Sequence, residues 1–324
     1  MKKSILIFSL LMLFVPYLSF SQDNGGYTSQ FWKTTRYEVI LGAGTNVFMG
    51  DLGGGEGEGK GWFAMKDMDL AATRPVLQVG GRYKVLSWVA IKGGLTYARL
   101  VGDDAKSADL GRRLRNLSFM SNVYEASLQL EFSLLRENRG KRYIFQRNSI
   151  WNNMNVYVFG GIAGFAFNPK AELDGEKYKL QPLGTEGQGL EGGSDPYKLT
   201  SLAIPMGLGF KYYLTRNWNV GFEAGFRYSF TDYIDDVGGN YFDNTKLSAD
   251  AAKLADRHII WSDDPVYSYY GGVDASTFTA YPQGWRRAST DKLNDAYVFL
   301  IFNVTYTFEN KAKKAKFQKQ PIAF

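Results

Sequence analysis

The sequence predicts an all-β protein, an eight-stranded antiparallel transmembrane β-barrel with long extracellular loops, and three observations carry that prediction. Apolar and polar residues alternate with period two over long stretches, as in the 13 residues Trp218 to Phe230, which exceeds an ordinary soluble strand. The composition, with 36 Gly, 23 Phe and 21 Tyr but only 22% charged residues, favours strands with wide aromatic surfaces. Past the amino terminus, the longest uncharged apolar stretch is the 12 residues Val156–Phe167, broken by Gly160, Gly161 and Gly164, too short for a membrane helix.

The first element is a signal peptide over residues 1–21. Lys2 and Lys3 precede an apolar run from Ile5 to Val15, and Ser19-Phe20-Ser21 forms a small-x-small cleavage pattern. Pro16 and the short run argue against a membrane anchor, and lipoprotein processing is excluded because the chain has no cysteine. Residues 22–308 then form the outer-membrane barrel, and residues 309–324 a basic periplasmic tail.

The strands follow in order. Tyr37–Phe48 is the first. Leu77, Val79, Gly81, Tyr83 and Val85 oppose Gln78, Gly80, Arg82 and Lys84 in the second, and Val89, Ile91, Leu95 and Tyr97 oppose Ala90, Lys92, Gly94 and Thr96 in the third. Tyr124, Ala126, Leu128, Leu130 and Phe132 oppose Glu125, Ser127, Gln129 and Glu131 in the fourth, and Asn155–Asn168 is the fifth. Leu202 to Tyr212, Trp218 to Phe230 and Ala296 to Phe308 complete the set. A soluble β-sandwich or lipocalin-like barrel would turn the apolar faces inward. Here the polar face is rich in glycine and small residues, which suits a narrow lumen, and aromatics (Trp88, Trp218, Tyr83, Tyr97, Tyr212, Tyr306) gather at strand ends as interfacial girdles do.

Connection lengths set the orientation. The turns Val85–Trp88 and Tyr213–Asn217 are short and belong in the periplasm, whereas 49–74, 101–115, 169–198 and 232–294 are long outer loops. Leu134–Asn153 breaks the rule, being long on the short-turn side. It carries Arg136, Arg139, Lys141, Arg142 and Arg147, with Tyr143, Ile144, Phe145, Ile150 and Trp151 as apolar anchors. Arg136, Arg139, Arg142, Tyr143, Phe145, Arg147 and Trp151 are therefore candidate partner-binding residues, an apolar centre with a basic rim. In 232–294 ten acids face six bases, so charge is sided, and the basic periplasmic face suits an acidic protein partner, anionic lipid headgroups or the cell-wall polymer.

The chemistry available is narrow. No cysteine and a single histidine, His258, exclude thiol nucleophiles and multi-histidine metal centres. Glu38, Glu125, Glu131 and Glu223 share the expected lumen with Arg82, Lys84, Lys92, Lys211 and Arg227; ion pairs that fill the lumen suit a barrel this narrow better than paired-carboxylate catalysis. Gly53–Gly59 is acidic and lacks the lysine and helix of a phosphate cradle. Asp232, Asp235 and Asp236 offer either a divalent-cation site or a hydrogen-bonded loop base. Leu247, Ala251, Leu254 and Ala255 fall at helical spacing within Ser248–Arg257 and predict a short loop helix on the barrel mouth, with His258 at the surface beyond it. No catalytic residue, metal site, cofactor or nucleic-acid partner is expected.

Several segments resemble the PorG family of Bacteroidetes: Val47–Gly54, Lys92–Tyr97, Asn116–Phe119, Gln181–Gly189, Ile204–Lys211 and Phe230–Val237. Gln181–Gly189 and Phe230–Val237 are the most specific of these. The resemblance implies a non-enzymatic outer-membrane barrel of the type IX secretion and gliding machinery, associated with a periplasmic ring of the lipoprotein PorK and its partner PorN, and held in outer-membrane lipids. The lysine-rich tail departs from that pattern. A small outer-membrane channel is the alternative; an adhesin or lipid-modifying enzyme lacks a matching nucleophile.

Overall fold

The computed structural model describes residues 31–52, 73–107, 109–136, 153–215, 217–258, 281, 283–288 and 294–309. The signal peptide, the Gly53–Gly59 run, most of the Leu134–Asn153 loop and the lysine-rich tail lie outside them. Among the described residues ten strands share one sheet: β1 (Tyr37–Met49), β2 (Arg74–Lys84), β3 (Val89–Asp103), β4 (Ser118–Leu135), β5 (Met154–Ala166), β6 (Pro169–Leu173), β7 (Glu176–Lys179), β8 (Thr200–Tyr213), β9 (Trp218–Ser229) and β10 (Ala296–Phe308). Eight of them close a ring in the order β1, β2, β3, β4, β5, β8, β9, β10, each antiparallel to its neighbours. The first and last barrel strands seal it, from Tyr37 opposite Phe308 to Met49 opposite Ala296.

Exposure is inverted relative to a soluble protein. Phe302 is 69% exposed and Leu41 63%, whereas Glu38 and Arg227 are each 2% exposed. The wall therefore presents its apolar face outward and its charges inward, as lipid solvent requires. Aromatic pairs mark the borders of this band. Tyr37 and Tyr83 (ring centroids 5.1 Å apart), Trp88 and Phe132 (6.1 Å) and Trp218 and Tyr306 (5.0 Å) lie at the short-turn end, while Tyr97 and Tyr124 (5.3 Å) and Tyr228 and Phe230 (5.3 Å) lie at the other. From Tyr124 to Phe132 is nine residues, the length a tilted strand needs to cross hydrocarbon.

Beyond the outer girdle the sequence reading falls short. β3 and β4 run past the expected strands and stay paired to Asp103 opposite Ser118. Their extension offers an edge, and β6 pairs on it through Met120 and Lys170. Segment 169–198 is thus partly a hairpin and not wholly loop. Asp174 (φ 53°) and Gly175 (φ 84°) form its two-residue turn, and Asp-Gly suits that left-handed geometry.

Among the described residues three short α-helices complete the fold: α1 (Phe31–Thr34), α2 (Leu110–Arg115) and α3 (Ala249–Ala255). α2 starts where the Asp109 carboxylate accepts the Arg112 N–H at 2.9 Å and stops at left-handed Asn116. The expected loop helix is α3; Ser248 caps it, and Ala251, Leu254 and Ala255 are buried. Leu254 joins Phe48, Leu52, Leu117, Phe119, Phe167, Leu180, Ile234 and Val237 in an apolar core above the outer girdle, continuous with the inward Phe165, Tyr297 and Phe299. The described parts of the outer loops form a packed cap on the barrel.

Candidate functional site: a filled lumen beneath a carboxyl-rich cap

The lumen is assembled from inward positions of the barrel strands, two residues apart along each. Arg82 on β2 is its centre. Its guanidinium grips Glu131 of β4 in a fork, Nε to Oε2 at 2.6 Å and Nη2 to Oε1 at 2.9 Å, and donates from Nη1 to Glu38 of β1 at 2.7 Å. Such bidentate pairs are the strong form of a charge-assisted bond. Lys211 reaches Glu38 from β8 at 3.0 Å, and Lys84 lies 3.4 Å from the same carboxylate. Glu223 of β9 accepts from Lys92 of β3 and, at 2.6 Å, from the Tyr157 hydroxyl of β5.

A second layer sits nearer the cap. Tyr297 donates to Glu125 at 2.9 Å, Arg227 Nε is 3.7 Å from the same carboxylate, and its guanidinium carbon lies 4.2 Å from the Phe299 ring centroid. Glu223 and Arg227, four apart on one strand, therefore serve different layers. All nine charged residues expected in the lumen, Glu38, Arg82, Lys84, Lys92, Glu125, Glu131, Lys211, Glu223 and Arg227, are buried there. Sequence reading missed the tyrosines Tyr157, Tyr213 and Tyr297. Tyr157 is hidden because both faces of β5 are apolar; the legible sign was the small residue opposite, Gly209, where an added Cβ would collide with the Tyr157 ring.

Two depressions, of about 1140 and 840 Å³, lie on the outer wall among Leu41, Leu77, Leu95, Ala126, Gly164 and Leu202, over small residues of β4 and β5. They face lipid.

Above the lumen, two acidic groups pin the cap. Asp236 accepts from Thr185 (2.5 Å) and Tyr197 (2.6 Å), and Glu186 accepts from the Gly238 and Gly239 amides at 3.3 and 3.2 Å. Arg287 donates to Glu186 (3.2 Å) and to the Asp236 carbonyl (2.8 Å). One guanidinium serves two buried carboxyls. Burial consequently wins at Glu186 and Asp236, whose pKa values rise, while Arg287 is held charged.

The other group is Asp51, Asp232, Asp235 and Asp295. Asp235 accepts the Leu52 and Val237 amides, both at 3.0 Å, and Asp295 accepts the Ile234 amide at 2.8 Å. Burial, then repulsion from the neighbouring acids, pushes Asp235 and Asp295 well above the usual carboxylate range and Asp232 up to about 8. Of the two readings of the aspartate cluster, Asp235 and Asp236 are hydrogen-bonded loop bases; no three His, Asp or Glu among the described residues are gathered as metal ligands would be. His258, expected at the surface, is instead partly buried, its Nδ1 2.7 Å from Asp256 and its ring edge-on to Tyr281. Of the expected partner-binding set, Arg136 alone is described; it donates to Ser87 at 3.1 Å, across the short-turn end. Arg139, Arg142, Tyr143, Phe145, Arg147 and Trp151 lie outside the described residues.

Residues 35–262 match the model of a family described as a domain of unknown function, DUF6089. The chain belongs to that family. A search of curated proteins gives no match. Among solved structures, this DUF6089 chain is similar to the outer membrane protein OprG from Pseudomonas aeruginosa (10% identity, 85% of this chain and 98% of that chain, TM-score 0.37). It is also similar to a major outer membrane protein from Thermus thermophilus (13%, 84% and 99%, TM-score 0.35) and to Neisserial surface protein A (10%, 84% and 97%, TM-score 0.34). The closed ring, the outward apolar band and its two girdles make this DUF6089 member a barrel of the outer membrane.

Proposed function

We propose that the protein is a structural component of the type IX protein secretion and gliding machinery, a barrel that anchors or docks the machinery's periplasmic ring of PorK and PorN. The observation that carries the reading is the filled lumen: the Arg82 fork and the Glu125–Arg227 layer occupy the interior of a barrel already narrow. A barrel so filled is a rigid anchor and not a conduit, which disfavours a channel for ions or small molecules. The resemblance to PorG adds the choice of machinery. Its two most specific segments, Gln181–Gly189 and Phe230–Val237, meet in the cap through Thr185 and Asp236. The reading assigns no catalysis.

Gentle extraction from the native membrane, followed by identification of what accompanies the barrel, tests it. PorK and PorN should co-purify, and loss of the barrel should reduce secretion. Normal secretion in its absence, with steady single-channel currents from the purified protein, would overturn the proposal.

A further inference from the structure

We propose that Asp235 and Asp295, beside Asp51, form a proton-held latch that fixes the outer cap to the barrel and releases it as pH rises. The geometry is that of a staple. Asp235, in the β9–β10 connection, holds the backbone just past β1 through Leu52, and Asp295, just before β10, holds the β9–β10 connection through Ile234. The Asp295 carbonyl also takes the Ser229 hydroxyl at 2.7 Å. Three chain segments thus converge on carboxyl groups that are buried, Asp51 5%, Asp235 0% and Asp295 1% exposed.

Among the described residues the surrounding charges do not neutralise Asp235 and Asp295. Arg115 is near: its Nη2 donates to the Asp51 carbonyl, but its guanidinium is forked onto Asp104 at 2.7 and 3.1 Å. Arg287 is committed to Glu186 and Asp236. Asp232 adds further repulsion once it ionises, Glu186 acts on Asp232, and Tyr233 is a neutral phenol whose pKa burial raises to about 12. Among the described residues no Lys, Arg or His forms an ion pair with Asp235 or Asp295. Asp295 Oδ1 is buried with no hydrogen-bond partner and fills the space that a Cβ on Gly50, next to Asp51 in the chain, would need.

Buried carboxylates crowded together without a counter-cation of their own among the described residues, as Asp235 and Asp295 are, cannot all be ionised. A proton on Asp295 or Asp235 removes a charge and supplies the missing donor; the carboxyl oxygens are not gathered for a metal. These carboxyls titrate higher in the closed cap than in an open one. Stability from them is therefore complete at acid pH and is lost as pH rises, through Asp232 near 8 and through Asp235 and Asp295, which burial holds well above the usual carboxylate range.

Limited proteolysis of the full-length protein in lipid vesicles, across a pH series, tests the latch together with infrared detection of protonated carboxyl groups. Wild type should show a buried carboxylic-acid band at neutral pH, weakened in Asp235→Asn and Asp295→Asn. Cleavage within the cap should rise about tenfold between neutral pH and about pH 9, the effect of roughly one unit of linked titration. In each amide variant, which mimics the protonated form at one position, the rise should be clearly smaller than in wild type, and an unchanged tenfold rise in both would overturn the latch. Absence of the carboxylic-acid band at neutral pH would overturn the latch, even if a variant fails to fold. So would cap protection that depends on added calcium or magnesium instead of on pH.

Discussion

Arg82 shows how much one residue is asked to do. It pairs with Glu131 and also contacts Glu38 and Glu223, all out of water. Arg82→Met should leave Glu131 buried without compensation and destabilise the barrel by about 3–5 kcal/mol, while Arg82→Met with Glu131→Met should recover much of that loss. Denaturant unfolding in lipid, followed by tryptophan fluorescence, checks both; equal losses in the single and double variants would show that the pair is not the unit of stability. Gly209 illustrates the complementary constraint. The Tyr157 ring occupies the space a Cβ would need, so Gly209→Ala should cost about 1–3 kcal/mol by overpacking, and adding Tyr157→Phe should not relieve it, because the ring itself is in the way.

At the scale of the strand, alternation decides what a position tolerates. Arg at Phe222 or Leu300, both on the outward face in mid-strand, should cost about 2–4 kcal/mol, read from the same unfolding curves. Ser229 is a different case. It belongs to the inward set, yet its hydroxyl lies against the Asp295 and Thr231 carbonyls at 2.7 and 2.8 Å, so Arg there should disrupt the cap and not merely occupy the lumen. Cap protease sensitivity should rise in Ser229→Arg and stay unchanged in Leu300→Arg. The contrast marks what was legible in the sequence. Period two identified the eight barrel strands, their faces and the nine lumen charges, because each side of a strand meets a different solvent. It could not show how far β3 and β4 run above the membrane, since beyond the girdle both faces meet protein or water and alternation carries no instruction. Nor could it find Tyr157, because an apolar residue beside a small one on the paired strand reads like one facing lipid. The α3 stripe was legible because Ser248 and the spacing of Ala251, Leu254 and Ala255 are local; the carboxyl staple was not, because Asp235 and Leu52 are 183 residues apart.

For the whole molecule, the layers of ion pairs predict electrical silence. Planar-bilayer recordings of wild type should show no stable conductance, and large steady currents would refute a filled lumen. The same layers bear on how the barrel is made. Glu38, on the first strand, shares its carboxylate with Lys211, 173 residues away, and with Thr307, 269 residues away. Its charge is thus answered in full only when late strands arrive beside the first. An open sheet in the bilayer would expose these charges to hydrocarbon, so insertion and closure have to proceed together. Long-range pairings of this kind form slowly. A chain truncated before β10 should therefore fail to seal and be cleared by periplasmic proteolysis, so that closure itself would act as the inspection step in making this barrel; accumulation of the truncated chain in the outer membrane would refute this.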